Sequence, residues 1–213
     1  MQNQKTPALL GGDHSCSLGL MEAIAEHYGD FGILQIDAHA DLRPAYEGFQ
    51  YSHASIMWNA LKMTNLKTLT QVGIRDLCQQ ELELIHENPN RIHTFFDADL
   101  KEAAHEGVAW GQSIQEIIDT LPQYVYVSFD IDGMDPKLCP NTGTPVPGGL
   151  DFGEVVSLIK ALVKSGRRIA GFDLCEVSPG ETEWDANVGA RILYKLCCWT
   201  AASQGKLQSI DRS

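Results

Sequence analysis

Three residues of types that commonly bind metal ions stand at alternate positions in one short segment. They are Asp37, His39 and Asp41, in the sequence D-A-H-A-D. When a chain leaves a β-strand, alternate side chains point to the same side. The spacing therefore predicts that two carboxylates and one imidazole converge on a small volume.

Two further segments carry the same residue types. Asp130 and Asp132 repeat the two-residue spacing, and His14 adds a second imidazole, which makes four carboxylates and two imidazoles in all. Carboxylates so close together repel one another and raise each other's pKa. Two divalent cations would remove the repulsion, since carboxylates bridge ions about 3.5–4 Å apart. Donors of oxygen and imidazole nitrogen without thiolates favour Mn²⁺ or Mg²⁺ over structural zinc. A turn or capping role suits any one of these aspartates taken alone, but it does not account for the whole set.

The elements that position these residues follow from the alternation of apolar patterns. Short apolar runs predict strands, and apolar residues at helical spacing predict helices between them. Strand and helix alternate along the chain, which predicts an α/β fold, a mainly parallel sheet with helices on both faces. The predicted strands are Pro7–Leu10, Phe31–Ile36, Lys67–Gly73, Arg91–Phe96, Tyr124–Asp130 and Arg168–Leu174, and the predicted helices are Leu18–Tyr28, Ala54–Met63, Cys78–Glu87, Ser113–Leu121, Phe152–Lys164 and Asn187–Ala201.

Every polar cluster lies just after a predicted strand. His14 follows the first strand, Asp37–Asp41 the second, Asp130 and Asp132 the fifth, and Glu176 the sixth. In parallel sheets, ligands bind outside the carboxyl ends of the strands. The site is therefore expected at that edge of the sheet.

Composition excludes several classes of function. The 213 residues carry a formal charge of −12, which argues against nucleic-acid binding and suits a cationic substrate. No apolar stretch approaches the roughly 20 residues needed to cross a bilayer. The start, Met1–Pro7, lacks an apolar signal region, so a cytoplasmic protein is expected. The six cysteines form no C-x-x-C pair and are expected to be reduced.

Five segments together resemble the ureohydrolase superfamily, which includes arginase, agmatinase, guanidinobutyrase and formimidoylglutamase. They are G-G-D-H-S (Gly11–Ser15), D-A-H-A-D (Asp37–Asp41), S-F-D-I-D-G-M-D-P (Ser128–Pro136), G-T-P-V-P-G-G-L (Gly143–Leu150) and E-V-S-P (Glu176–Pro179). The resemblance implies a three-layer α/β/α sandwich assembled as trimers or hexamers. It also implies that residues 1–213 form a single domain that lacks the family's usual N-terminal strands.

The resemblance implies a ligand set for two Mn²⁺ ions, with Asp37 and Asp130 as bridging carboxylates. One ion would be held by His14, Asp37, Asp41 and Asp130, and the other by Asp37, His39, Asp130 and Asp132. A hydroxide bridging the two ions would attack the carbon of a guanidinium group.

Three residues would assist that attack. Asp41 would accept the hydroxide's proton and pass it to the leaving amine. Glu176 resembles the carboxylate that anchors the guanidinium, and His53 the histidine that shuttles protons or steadies the leaving group. Glu176 could instead be a surface carboxylate, and His53 a residue at a helix N-terminus without chemistry.

Arg43 and His53 resemble agmatinases most closely, which implies that agmatine is converted to putrescine and urea. Asp76 departs from that pattern and matches an arginase substrate-binding aspartate better. Another ureohydrolase activity (guanidinobutyrase, arginase or formimidoylglutamase) and a non-catalytic truncated remnant therefore stay open. A two-metal phosphoesterase is a further alternative, for which Arg43 and Arg75 would have to bind an anionic substrate.

Overall fold

A computed structural model describes residues 5–207, which form a six-stranded parallel sheet with helices on both sides. The sheet order is β1-β6-β5-β2-β3-β4, and every neighbouring pair is parallel. The strands are β1 (Ala8–Leu10), β2 (Phe31–Ile36), β3 (Leu66–Ile74), β4 (Ile92–Phe96), β5 (Tyr124–Phe129) and β6 (Arg168–Leu174). The helices are α1 (Leu18–Tyr28), α2 (Ile56–Ala60), α3 (Gln79–Glu87), α4 (Asp97–His105), α5 (Trp110–Asp119), α6 (Phe152–Lys164) and α7 (Trp184–Ser203).

The fold has three layers, and one apolar cluster lies on each face of the sheet, between the sheet and a layer of helices. One joins the sheet to α1, α2 and α3, with Ile33, Leu69 and Tyr126 at its centre. The other joins the opposite face of the sheet to α5, α6 and α7, around Leu34 and Phe129. The central strands are buried on both faces, which explains why they read as continuous apolar runs. The predicted three-layer α/β/α sandwich with a parallel sheet is confirmed.

Helix boundaries follow local capping. Helix α6 begins after Asp151, whose backbone N–H donates to Glu154 Oε2 at 2.8 Å in a capping box. It ends before Gly166, whose φ of +87° favours glycine. The predicted bounds of α6, α1, β2 and β6 agree with the structure.

Three predicted elements need correction. The helix expected over Ala54–Met63 is a 3₁₀ turn, His53–Ser55, followed by the short α2. The helix expected over Ser113–Leu121 begins at Trp110, and the one expected from Asn187 begins at Trp184. Helix α4 was not predicted, because its sequence D-A-D-L-K-E-A-A-H has little apolar periodicity.

Strand β1 lies at one edge of the sheet and pairs with β6 alone among the described strands. Leu10 in this strand is 64% exposed. Within residues 5–207, no helix has both the length and the hydropathy that crossing a bilayer requires. The ends of the expected single domain, residues 1–4 and 208–213, lie outside the described residues.

Candidate metal centre

The carboxyl ends of four strands meet at the site. His14 lies in a 3₁₀ turn after β1, the Asp37–Asp41 segment follows β2, Asp130 follows β5, and Glu176 follows β6. Close backbone approach fixes these segments against one another. The Asp130 N–H donates to the carbonyl of Ile36 at 2.9 Å, and a Cβ added to Gly133 would lie 2.5 Å from the backbone nitrogen of Asp37. Only glycine allows this approach of the two chains.

The structure brings the six predicted ligands into one cluster, here called the six-residue cluster. It contains two groups whose ligand atoms lie within 4.8 Å of one another, and Asp37 belongs to both. The first group is His14, Asp37 and Asp41, and the second is Asp37, His39 and Asp132. The sixth member, Asp130, places Oδ2 3.4 Å from His14 Nδ1.

The two oxygens of Asp37 face different groups. Its Oδ2 lies 3.2 Å from His14 Nδ1, and its Oδ1 lies 3.6 Å from His39 Nδ1. The Nδ1 atom of His39 also lies 3.0 Å from Asp132 Oδ2. Asp37 is therefore placed as a carboxylate that can bridge two ions, one in each group.

His14 provides the test of whether a metal fits. Its ring is buried, and Nε2 lies 2.8 Å from Ser128 Oγ, which donates its own proton to Asp173 Oδ2 at 3.0 Å. Since the Ser128 proton is used, Oγ accepts the N–H of Nε2, and the neutral His14 ring has its lone pair on Nδ1. That Nδ1 has no hydrogen-bond partner, yet carboxylate oxygens of Asp37, Asp41 and Asp130 lie 3.1 to 3.4 Å away. A lone pair facing three anionic groups needs a cation between them, and a divalent metal fits this donor set.

The pKa values of the metal-free cluster also indicate that its carboxylates need positive charge beside them. Burial lowers the pKa of His14, but the close carboxylates of Asp37 and Asp41 and the charge of Asp130 outweigh it and raise the pKa well above its usual range. The pKa of His39 rises to about 11, because Asp132 and Asp37 outweigh its burial. Burial and then the charge of Asp37 raise the pKa values of Asp41, Asp130 and Asp132. Protons thus compensate the charge that metal ions would compensate.

Asp41 is held by its backbone as well as by its carboxylate. Its φ is +55°, and its carbonyl accepts the N–H groups of Met57 and Trp58 at the start of α2, each at 3.1 Å. The next residue, Leu42, donates its N–H to Glu81 Oε1 at 2.9 Å. The buried Glu81 also accepts the Cys78 N–H, at 2.8 Å, at the start of α3. The strained turn at Asp41 is therefore supported from two helices.

Glu176 and His53 lie at the periphery of the cluster. Glu176 has a φ of +62°, and its Oε1 accepts the backbone N–H of His14 at 2.9 Å. Burial raises the pKa of the Glu176 carboxyl, and the His14 N–H opposes that rise. The His53 ring is partly exposed, with Nδ1 3.2 Å from Asp13 Oδ2 and its edge toward the Tyr46 ring.

A cavity of about 230 Å³ opens above the second group. Thr144, which lines it, donates Oγ1–H to Asp132 Oδ2 at 3.3 Å, and Thr142 Oγ1 donates to the carbonyl of Glu176 at 2.9 Å. Glu176 itself is absent from the lining of the cavity and lies beside His14 instead. The lining residues are His39, Asp41, Arg43, Tyr46, His53, Ala54, Asp76, Glu81, Thr144, Pro145 and Val146.

Comparison with known proteins agrees with this architecture. The Arginase family model matches residues 1–198. The chain belongs to the arginase family. Curated relatives include the N(1)-aminopropylagmatine ureohydrolase of Thermus thermophilus, 37% identical over 185 residues, with 87% of this chain and 59% of the relative covered. An agmatinase of Halalkalibacterium halodurans is 33% identical over 180 residues, with 84% and 58% covered.

A solved structure has the same fold. The proclavaminate amidino hydrolase of Streptomyces clavuligerus superposes with a TM-score of 0.79 at 29% identity, covering 92% of this chain and 64% of that one. The chain thus spans about 60% of the length of the relatives it matches. Membership of the family makes the six-residue cluster a candidate binuclear metal site, while the role of each residue in it stays a prediction.

Three residues around the cluster were missed from the sequence. Asp173 and Ser128 lie inside strands that read as apolar, and Glu81 lies in a helix with other acidic residues. All three are buried. Their only signal in the sequence is a polar residue within an apolar segment, which does not reveal its partner.

Proposed function

We propose that this chain hydrolyses the guanidino group of a small cationic substrate, with one Mn²⁺ ion in each group of the six-residue cluster. The observation that carries the proposal is the unpartnered, buried Nδ1 of His14, which three carboxylate oxygens surround. The sharing of Asp37 between two groups supports a pair of ions rather than one. Oxygen and imidazole donors without thiolates support Mn²⁺.

The bound metals would supply a water molecule that loses its proton near neutral pH. The Asp41 carboxylate, which faces both His14 and the cavity, would accept that proton and return it to the leaving amine. His53 lines the same cavity and would exchange protons with solvent, since its ring is partly exposed. Glu176 would orient the guanidinium through paired hydrogen bonds, while its contact with the His14 N–H keeps it beside the first group.

The mouth of the cavity supports a substrate with a cationic tail. Asp76 is largely exposed and lines the cavity 3.8 Å from His39. Arg43 lines it too, but Glu81 lies 3.6 Å from its guanidinium and the Tyr46 ring lies against it. An amine tail beside Asp76 therefore gains more than a carboxylate tail beside Arg43. We infer that agmatine, giving putrescine and urea, or a related aminoalkyl guanidine is the substrate; the name of the Thermus thermophilus relative accords with this.

The second candidate is a guanidino acid such as guanidinobutyrate, because Arg43 does line the cavity. A phosphoesterase has less support. The Arg75 guanidinium donates to the carbonyls of Asp132 and Val146 at 2.7 and 2.9 Å, and so is engaged with backbone rather than the cavity. A cytoplasmic location, expected from the N-terminal sequence, and assembly into trimers or hexamers, implied by the resemblance, stay predictions.

The test is urea release by the purified, Mn²⁺-loaded chain offered agmatine, arginine and guanidinobutyrate in parallel, with formamide release from formimidoylglutamate as a fourth arm. Asp130→Asn is the inactive control. We expect urea from agmatine, lost in the control. Urea from guanidinobutyrate alone would select the second candidate. No turnover by a folded chain that holds two metal ions would refute the hydrolytic part of the proposal and favour a non-catalytic remnant.

Asp76→Asn tests the tail preference separately. Removing this exposed charge should raise KM for agmatine about 2- to 5-fold and leave KM for guanidinobutyrate unchanged or lower, since exposed charge pairs contribute about 0.5–1 kcal/mol. Equal effects on both substrates would contradict a role in tail recognition.

A further inference from the structure

Three polar side chains lie side by side within the sheet, behind the six-residue cluster. They are Gln35 on β2, Gln71 on β3 and Thr94 on β4, and the strand register pairs Gln35 with Gln71 and Gln71 with Thr94. Both glutamines have no exposed surface. They occupy the face on which Ile33 and Leu69, two residues earlier on the same strands, belong to the apolar core. Apolar residues would therefore satisfy packing at these positions.

The hydrogen bonds of the three residues run in one direction. Thr94 Oγ1 donates to Gln71 Oε1 at 2.8 Å. Gln71 Nε2 donates to Gln35 Oε1 at 2.7 Å and to the carbonyl of Ala40 at 2.8 Å. Gln35 Nε2 donates to Asp37 Oδ2 at 2.9 Å and to the carbonyl of His39 at 3.1 Å.

Each amide therefore uses both of its N–H groups and its oxygen. A flipped Gln35 would place its oxygen against a carboxylate and a carbonyl, so the orientation of the amide is fixed.

These hydrogen bonds end on Asp37 and on the segment that follows it, which carries further ligands. Asp37 Oδ2 is the oxygen that faces His14 Nδ1, and the backbone N–H of His39 donates to Asp37 Oδ1 at 2.7 Å. Each oxygen of Asp37 thus receives one hydrogen bond and keeps a lone pair toward its own group. The carbonyls of His39 and Ala40 belong to the segment that carries the ligands after Asp37. Amide donors fix these atoms without adding positive charge, which would compete with metal ions.

We propose that Gln35 is a positioning residue, which together with Gln71 and Thr94 holds Asp37 and the segment 38–41 in the geometry that binds two metal ions. The proposal rests on the proposed metal centre and requires no particular substrate. It assigns to Gln35 the role that residues hydrogen-bonded to metal ligands commonly have, for which removal typically weakens metal binding 10- to 100-fold.

The experiment is calorimetric titration of the metal-free chain with Mn²⁺, comparing Gln35→Met with Thr70→Val. Methionine keeps the length of the side chain and removes both donors. Thr70 is the matched control, because it is buried on the same sheet beside Gln71 and its hydroxyl bonds Thr120 at 2.7 Å on the opposite face. Both variants lose a buried hydrogen-bonding side chain, so loss of stability alone would affect them alike.

We expect Gln35→Met to raise the Kd of the weaker ion about 10- to 100-fold, and Thr70→Val to leave both Kd values within twofold while lowering Tm. Unchanged affinities for both ions in folded Gln35→Met would overturn the proposal. Thr94→Val, an isosteric change at a partly buried position, provides a second variant if Gln35→Met does not fold. Because Thr94 bonds Gln71 rather than a ligand, we expect an increase in Kd of about threefold, the effect of losing one neutral hydrogen bond. An unchanged Kd in that variant would equally overturn it.

Metal affinity separates this proposal from the proposed function. A wild-type chain that binds two ions but releases no urea would refute the hydrolytic activity and leave the positioning role to be decided by the Gln35 variants. Full urea release by a Gln35→Met chain with wild-type metal affinity would support the proposed function and refute the positioning role.

Discussion

Replacing Asp173 by asparagine should reverse the tautomer of His14 and weaken metal binding. In the wild-type chain, Asp173 accepts the Ser128 hydroxyl at 3.0 Å and the Phe129 N–H at 2.9 Å. An asparagine would keep the bond from Phe129 through its oxygen and turn its NH₂ group toward Ser128. The Ser128 proton would then point at His14 Nε2, which would have to accept it.

The neutral His14 ring would consequently carry its proton on Nδ1, the atom that faces the carboxylates. A metal ion bound at Nδ1 would force that proton back to Nε2, against the proton of Ser128. A 10- to 100-fold loss of affinity, typical for removal of a residue hydrogen-bonded to a ligand, corresponds to about 1.4–2.7 kcal/mol. The second group, which does not include His14, should keep its affinity within a few-fold.

Mn²⁺ titration by calorimetry provides the assay, and ¹⁵N chemical shifts of the histidine rings report the tautomer. Asp185→Asn is the control, since Asp185 is equally buried and accepts two bonds from Asn141 at 2.9 and 3.0 Å. It should lose stability and keep both metal affinities. A folded Asp173→Asn chain with wild-type affinities and an Nε2–H tautomer of His14 would refute this reasoning.

Three further predictions concern stability and reactivity. Gly133→Ala should lower the free energy of unfolding by about 1–3 kcal/mol or more, because the alanine Cβ would lie 2.5 Å from the backbone nitrogen of Asp37. An unchanged denaturation midpoint would contradict that contact. Without metal, stability should fall as pH rises from 6 to 8. The pKa values of both imidazoles are raised, so the folded chain binds more protons than the unfolded one over this range. Saturating Mn²⁺ should remove this slope, and a flat metal-free profile by urea denaturation would count against it. Iodoacetamide at pH 8 should label the exposed Cys16 in the folded chain but Cys139 only on unfolding, because Cys139 is buried and burial raises its pKa to about 12. Equal labelling rates by mass spectrometry would be inconsistent with the structure.

The main architecture could be predicted from short-range patterns of apolar residues in the sequence. Strand–helix alternation predicts the parallel sheet, and the rule that ligands bind at strand ends predicts that Asp37, Asp130 and Glu176 lie on one edge of it. Helix α4 was missed because only Leu100 in it packs against the core. Its position is set by tertiary contact rather than by an apolar period.

The contacts around the six-residue cluster could not be predicted from the sequence. The contacts Asp173–Ser128–His14 and Gln71–Gln35–Asp37 join residues from different strands. Which polar residues face one another depends on strand order and register, and the spacing of residues along the chain determines neither. The spacing of Asp37, His39 and Asp41 was informative because those three ligands need no partner strand to converge.

The proposed metal centre holds two ions that share Asp37 in one buried cluster. The most direct test is metal analysis of the Mn²⁺-loaded chain combined with electron paramagnetic resonance. We expect two ions per chain and the spectrum of a spin-coupled pair, lost in Asp37→Ala. A single ion per chain, or a spectrum of isolated Mn²⁺ at full loading, would contradict it.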